Sequence, residues 1–426
     1  IMSKIPKLRF KEFRDDWEEK RLGDYGKLIN GLTYSPDNIA EDGLFVLRSS
    51  NIQNGQISFH DNVYVDLEVK DEYITKENDI LICVRNGSKR LIGKNILISN
   101  KLPRATHGAF MTVFRGDSNR LISHWFKSVI YYKEVHKNLG ATINSINGSD
   151  LVKFKIILPQ KQEQEKIASF LISVDTKIEQ LTKKETLLQE YKKGVMQKIF
   201  NYENRKAKDN SLSLVDSEPD AMCQSTAGGI RFKADDGSEF CEWEEKKLGE
   251  VCKFQQGVQV DIELQYKEEK ENYIKFIRIE NYTQKSEDFR YIPLKLSSNK
   301  FITEKEIAIV RYGATAGFIG RGFSGVLANN LFKLILNEKL LDTEYVFYYL
   351  NSYKPSKFFQ SEIFGGAMPA LSFGIVKVLK IPYPSIKEQV KIAKFLSSID
   401  TKIEQTQKAL EKTKEFKKAL LQQMFV

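Results

Sequence analysis

Glu163-Gln164-Glu165-Lys166-Ile167-Ala168-Ser169-Phe170-Leu171, followed by Asp175-Thr176-Lys177-Ile178-Glu179-Gln180, decides the fold because the chain writes it twice. It returns as Glu388-Gln389-Val390-Lys391-Ile392-Ala393-Lys394-Phe395-Leu396 and Asp400-Thr401-Lys402-Ile403-Glu404-Gln405. The offset is 225 residues (389 − 164) and holds without a gap to Phe200 and Phe425. A second repeated element opens each copy. Trp17-Glu18-Glu19-Lys20-Arg21-Leu22-Gly23-Asp24 recurs as Trp243-Glu244-Glu245-Lys246-Lys247-Leu248-Gly249-Glu250, 226 residues on (243 − 17), with Arg9-Phe10 and Arg231-Phe232 upstream.

The repeated stretch is helical. Ile167, Leu171, Val174, Ile178 and Leu181 step by four and three, as in a coiled-coil seam, and Glu185, Leu188, Lys192, Val195 and Ile199 continue the register. The second copy gives Ile392, Leu396, Ile399, Ile403, Thr406, Leu410, Thr413, Lys417, Leu420 and Met424. Pro159 and Pro384 mark the starts, and Ser385-x-x-Glu388 is a capping box. Thr176-x-x-Glu179 and Thr401-x-x-Glu404 could cap a second helix, so one long helix or a broken pair both fit. A narrow apolar stripe of about 40 residues, roughly 60 Å long if unbroken, needs a partner. The nearest candidate is its own repeat; the alternative is that each helix covers its own domain.

Residues 20–158 and 246–383 read as mixed α/β with many short strands. Phe45-Val46-Leu47, Ile80–Val84, Ile96-Leu97-Ile98, Ile156-Ile157-Leu158 and Phe332–Leu336 alternate with Asn/Gly-rich turns, and helical patches fall near Leu121–Val135 and Glu344–Tyr353. The two interiors match only faintly. Gly31 falls opposite Gly257, Arg48-x-x-Asn51 opposite Arg278-x-x-Asn281, and Ile80–Val84 with Arg85 opposite Ile307–Val310 with Arg311. Gly140 and Ile146 match Gly365 and Leu371. A shared ancestor with relaxed interiors gives this pattern, and so does selection for two different recognition specificities. The stretch from Asn201 to Ile230, poor in large apolar residues, reads as a flexible linker.

Composition narrows the function classes. The 426 residues carry 66 Lys and Arg against 56 Asp and Glu, a net charge of +10 that suits a polyanionic partner. No apolar run approaches the ~18 residues of a membrane span. The start, Met2-Ser3-Lys4-Ile5-Pro6-Lys7, lacks a signal-peptide core, so the expected compartment is the cytoplasm; Ile1 before Met2 reads as a processing remnant. Cys83, Cys223, Cys241 and Cys252 form no Cys-x-x-Cys pair, and His60, His107, His124 and His136 lie far in sequence from three of them. Neither a disulfide framework nor a zinc site is expected.

Catalytic signatures fail one by one. Gly87-Ser-Lys-Arg-Leu-Ile-Gly93-Lys94-Asn95 has one residue too many for a P-loop and lacks its Ser/Thr. Gly320-x-Gly322-x-x-Gly325 fits the dinucleotide fingerprint by letter, but Val326–Asn330 is too short and turn-prone for the helix that must follow. Glu68-Val69-Lys70 is of a nuclease type expected by chance in a Lys/Glu-rich chain, and no Asn/Asp-Pro-Pro-Tyr/Phe run of an adenine methyltransferase is present.

The two-fold frame of Trp-Glu-x-x-x-Leu-Gly and Pro-x-x-x-Glu-Gln-x-x-Ile-Ala-x-Phe-Leu-x-x-x-Asp-x-x-Ile resembles the specificity subunits of type I restriction–modification systems. The resemblance covers nearly the whole chain apart from the linker. It implies target-recognition domains at 1–158 and 231–383, helical regions at 159–200 and 384–426, and a linker at 201–230. It implies that the two helices pair as an antiparallel coiled coil and act as a spacer. It further implies a non-catalytic subunit that binds double-stranded DNA, two modification subunits and, in the full complex, restriction subunits. S-adenosylmethionine, ATP and Mg would then be bound by those partners and not by this chain. B-DNA repeats every ~34–36 Å, so two unlike readers on a rigid spacer should read a bipartite, asymmetric target.

Arg and Asn form bidentate bonds with guanine and adenine edges. The candidate base readers are Arg48, Asn51, Arg85, Asn86, Lys89, Arg90, Lys94 and Asn144 in the first half. In the second they are Arg278, Asn281, Arg311, Tyr312, Thr315, Arg321 and Asn330. Gly31 and Gly257 read as turn glycines. Glu163, Gln164, Ile167, Phe170, Glu388, Gln389, Ile392 and Phe395 are the candidate contacts to the modification subunits, although packing of the helix pair explains their apolar members equally well. A transcription regulator, a single-chain enzyme and a coiled-coil scaffold are the rival classes. The first lacks a reason for the duplicated helices, the second a site, and the third a reason for the Arg/Asn-rich domains.

Overall fold

The computed structural model describes residues 5–53, 55–139, 144–201, 223–226, 229–363 and 369–426. Two compact units form, Ile1–Lys183 with Gln407–Val426, and Lys184–Thr406. Each holds one α/β domain, the opening half of that domain's own long helix and the closing half of the other one.

The first domain is built on a four-stranded antiparallel sheet in the order Lys27–Asn30, Met111–Arg115, Ile80–Cys83, Asn95–Leu97. Ile80, Leu81, Ile82 and Cys83 are all buried, which is why this strand reads as an unbroken apolar run. The second domain repeats the sheet with Cys252–Gln256, Leu331–Leu336, Ala308–Val310 and Ile319–Gly320. A smaller sheet shares three strands between the domains. Leu44–Leu47 lies parallel to Ala105–His107 and antiparallel to Tyr64–Val65; its counterpart Tyr273–Ile277 lies parallel to Gly325–Leu327 and antiparallel to Arg290–Pro293. The edges differ: Ile39–Ala40 adds to Tyr64–Val65, whereas Phe301–Ile302 adds to Gly325–Leu327.

The repeated tryptophan motif closes each domain on itself. Glu18–Arg21 pairs antiparallel with Lys155–Leu158, and Glu244–Lys247 with Lys380–Tyr383, so the first and last strands are zipped just before the helix begins. Trp17 and Trp243 are buried beneath these ribbons, with Leu22 and Leu248.

Each helical region is one helix, Lys161–Phe200 and Ile386–Gln423. Thr176 and Thr401 do not start a second helix. Their hydroxyls donate to the carbonyls of Ile172 and Ser397, four residues back, at 3.0 Å. The seam positions, Glu185, Lys192 and Lys417 included, are buried or half-buried, and most positions between them are exposed. In the first unit Ile167, Leu171 and Val174 share a core with Trp125, Phe126, Leu420, Met424 and Phe425. In the second, Ile392, Leu396, Ile399 and Ile403 share a core with Val195, Ile199, Phe200, Tyr345 and Tyr349. The last turn of each helix is therefore core material for the other half's domain.

The two seam lysines are explained by carboxylates of the other helix. Within the first unit Lys417 binds Asp175; within the second Lys192 binds Asp400 at 2.5 Å. Both pairs involve repeat-equivalent residues. Burial alone raises the Asp175 carboxyl, but Lys127 and Lys417 outweigh it and hold it below the usual range. A short domain helix, Asn119–Trp125, covers this pair with His124, and Thr343–Leu350 covers the other with Tyr348, whose hydroxyl donates to Asp400 at 2.7 Å.

Of the 201–230 segment, residues 202–222 and 227–228 lie outside the described residues, so the linker reading lies there too. Its end is a strand and not linker: Cys223–Thr226 pairs antiparallel with Gly229–Phe232. Gly140 and Gly365 also lie outside the described residues.

His124 provides a pH test. It is buried, neither ring nitrogen has a hydrogen-bond partner, and burial, with Lys127 and Lys417, pushes its pKa down to about 3. Between that value and the ordinary ~6.5, the unfolded chain takes up a proton that the folded chain refuses, so stability falls as pH drops below ~6.5. The loss from this group should be on the order of 1 kcal/mol at pH 5.5. Urea titrations at pH 7.5 and 5.5 should show it in the wild type and a correspondingly smaller drop in His124→Phe.

Candidate nucleic-acid interface

The repeated Arg-x-x-Asn motifs fold into identical local devices. In both, the asparagine Oδ1 accepts the backbone N–H of the arginine three residues earlier, at 2.9 Å for Asn51 and 2.8 Å for Asn281. Their Nδ2 groups donate to the carbonyls of Ser58 (3.1 Å) and Ser286 (2.8 Å). Arg48 and Arg278 reach across the same loops to the carbonyls of Asp61 (2.7 Å) and Asp288 (3.0 Å). Asn51 and Asn281 are fully buried, with both ends of each carboxamide in use. They hold a loop and are not presented to a base edge, which corrects their assignment as readers. Arg48 and Arg278, half-buried, are largely spent on the same clamp.

The other first-half candidates converge. Asn86 donates to Ser49 Oγ at 3.0 Å, so it abuts the clamp, and its backbone N–H binds the Asn144 carbonyl at 3.2 Å. Asn144 in turn donates to the Gly87 carbonyl at 2.8 Å, and Arg85 bridges Ser145. Arg85, Lys89 and Arg90 are exposed beside them, with Lys89 and Arg90 on a 3-10 turn; Lys94 is half-buried. Phe110, which sequence reasoning missed, is 56% exposed under the Arg85 guanidinium, 6.0 Å from it, and its carbonyl accepts from Val84 and Arg85. A lone Phe after Gly-Ala carries no sequence signal.

The second half is arranged differently. Ile146 N–H binds the Val84 carbonyl and Leu371 N–H that of Arg311, so Arg311 is the counterpart of Val84, and Tyr312, which bridges Ala370, that of Arg85. The alignment of Arg85 with Arg311 is one residue out. Arg311 packs on Tyr312 (4.8 Å) and Phe373 (5.1 Å), and its N–H binds the Asn330 carbonyl. Tyr312 and Thr315 are exposed; Asn330 is half-buried. Arg321 does not join them: its guanidinium lies 4.0 Å over the Phe347 ring and pairs with Glu344, which ties it to the domain helix.

Gly31 and Gly257 are close-approach glycines and not turn glycines. A Cβ on either would lie 2.0 Å from the Gly108 carbonyl oxygen or 2.2 Å from that of Ala328.

The eight helix-start residues are mostly internal. Glu163 receives two bonds from Arg9, both 2.8 Å; Glu388 receives Arg231 at 3.0 Å and the Trp243 indole N–H at 2.8 Å. Gln164 and Gln389 donate to the carbonyls of Pro159 and Pro384, and Gln389 also accepts from Asp342 N–H. Ile167 and Ile392 are core; Phe170 and Phe395 stack edge-on against Phe10 and Phe232. Six of the eight are buried in the joint between domain and helix, Phe170 and Phe395 are half-buried at its edge, and this packing explains the repeated Arg-Phe at the start of each half.

No group of three His, Cys, Asp or Glu side chains among the described residues is placed to hold a metal ion. Burial pushes the thiols of Cys83 and Cys252 up to about 11 and about 12, far from reactive.

A family model described as the type I restriction modification DNA specificity domain matches the chain twice, at residues 14–189 and 241–414. The chain is 28% identical over 430 residues to the putative type I restriction enzyme MjaX specificity subunit of Methanocaldococcus jannaschii, covering 96% of this chain and 93% of that one. It is 24% identical over 448 residues to the type I restriction enzyme MjaVIII specificity subunit of the same organism, covering 99% and 96%. Its fold is similar to the crystal structure of a type I restriction–modification system S subunit from M. genitalium, with a TM-score of 0.61 at 17% identity over 99% of each chain.

Removing Arg9 leaves Glu163 charged and buried, a class of change that costs about 3–5 kcal/mol, whereas replacing both partners by apolar residues costs far less. Denaturant midpoints should therefore fall sharply for Arg9→Met and recover substantially when Glu163→Met is added.

Proposed function

Since this chain belongs to the type I restriction–modification DNA specificity family, we propose that each of its two domains reads one half of a bipartite, asymmetric DNA target. The chain recognises DNA as a non-catalytic specificity subunit and acts with the other subunits of a restriction–modification complex. The observation that carries the two-reader proposal is the doubled domain itself: the same sheets and clamps recur around loops that differ. A single specificity needs no second, divergent copy.

The two helices act as an antiparallel coiled coil that joins the readers. Support comes from the seam, whose buried stripe follows the 3.5-residue period, and from the reciprocal pairs Asp175–Lys417 and Lys192–Asp400. Two modification subunits, one for each repeat, and the restriction subunits of the full complex are its partners. S-adenosylmethionine, ATP and Mg belong to those subunits. Among the described residues no helix is long and apolar enough to cross a membrane. The cytoplasm is the proposed compartment, where the DNA lies.

Arg85, Asn86, Lys89, Arg90 and Asn144 in one domain, and Arg311, Tyr312, Thr315 and Asn330 in the other, are the proposed DNA-facing groups. Basic side chains there bind phosphates and release counterions, so affinity should fall steeply with salt.

Exchanging residues 20–158 for those of a relative with a different target, in the assembled methyltransferase, should change one half-site and leave the other intact. Methylation mapping reads the outcome, and a swap that altered both half-sites would sink the two-reader proposal.

A further inference from the structure

The clamps enclose unlike loops. Asn51 closes on Ser58, seven residues on, whereas Asn281 closes on Ser286, five residues on; the arginine bonds likewise span 13 and 10 residues. In the first domain the enclosed segment is a β-hairpin, Ile52–Gln53 against Gln56–Ile57, with Ile52 opposite Ile57 and Gln53 opposite Gln56. In the second it is a helical turn, Ile279–Thr283, followed by Gln284 and Lys285, with Lys285 in the left-handed region at φ 52°.

Strand alternation sorts the hairpin's side chains. Ile52 is buried and Ile57 packs with it against the domain core, so the paired glutamines project from the opposite face and both are exposed; one Gln53 Nε2–H donates to the Ser50 carbonyl at 3.0 Å, which leaves its other N–H and its Oε1 for a base edge. At the tip Gly55 has φ +76°, and a Cβ there would meet nothing within 4 Å. The base of the hairpin is fixed to the DNA-facing cluster through the Asn86–Ser49 bond. The result is a two-stranded ribbon anchored by isoleucine at its root and tipped with two carboxamides.

We propose that the Arg-x-x-Asn clamp is a socket for exchangeable reading loops, and that Gln53 and Gln56 of the first loop read base edges in the major groove. This rests on the two-reader function proposed above. The major groove admits a two-stranded β-ribbon, and a glutamine carboxamide pairs bidentately with adenine through N6 and N7. The first half-site should therefore contain an A·T pair under the hairpin. The second socket presents Gln284 and Lys285 to the other half-site.

The experiment uses the assembled methyltransferase with the full chain and a duplex carrying its mapped target, with every base pair varied in turn. In Gln53→Ala/Gln56→Ala, discrimination should fall roughly ten- to a hundredfold at one or two adjacent A·T-containing positions of the first half-site. Discrimination elsewhere and affinity for unrelated DNA should be unchanged. Gln284→Ala/Lys285→Ala should act only in the second half-site. Unchanged discrimination at all positions, or an equal loss for all sequences as a phosphate contact would give, overturns the inference. The domain exchange would still report two readers in that case, so the two failures are distinguishable. Asn51→Ala is the structural control: it should lower the thermal midpoint, which the exposed glutamine variants should leave in place.

Discussion

Each half of the molecule turns on a carboxylate that has been taken out of water. Glu163 and Glu388 sit in the first turn of the long helices, 1% and 0% exposed, where an unpaired charge would be costly. Each is met by an arginine from the start of its half, Arg9 or Arg231. In both halves that bond ties the segment entering the domain to the helix that leaves, and in the second half the Trp243 indole N–H joins the closing strand ribbon to the same carboxylate. A helix whose start is fixed in this way carries its domain as a unit, which is what a reader on a frame requires.

The same logic repeats along the seam. Lys192 and Lys417 stand where a coiled coil prefers apolar residues, and each finds an aspartate from the other helix. A lone buried lysine disfavours every register except the one that pairs it, so these bonds select an arrangement more than they add stability. Beyond them the helix ends become core for the other half's domain, with Phe200 beside Tyr349 at 5.5 Å and Leu420 and Met424 beside Trp125 and Phe126. The repeat in sequence thus does not coincide with the compact unit, because each unit borrows one helix end from the other repeat.

Much of this frame is legible in the sequence for a physical reason. Helix seams and closing motifs are governed by burial, and burial leaves a period. The duplicated Glu-Gln-x-x-Ile-Ala pointed to the helices and to the doubled architecture, and its polar residues are bonded within the domain joint. The proposed DNA-facing positions are less legible. Asn51 and Asn281 carry a residue type that suits base readout, yet they are buried in clamps; Phe110 and Gln53 carry no pattern, yet they are exposed. Residue chemistry names what a side chain can bond. Only the backbone around it decides whether that capacity is turned inward or outward. The one-residue shift that sets Tyr312 opposite Arg85 has the same origin, since ladder register is fixed by hydrogen bonds that composition does not reveal.

The central claim is that one chain holds two independent readers. Expressing it with its modification subunit in a host lacking other modification activity, and mapping methylated bases by long-read sequencing, tests that claim most directly. The account predicts adenine methylation in a motif of two unlike specified blocks separated by unspecified bases. A single uninterrupted motif, or a palindrome of two identical blocks, would contradict it.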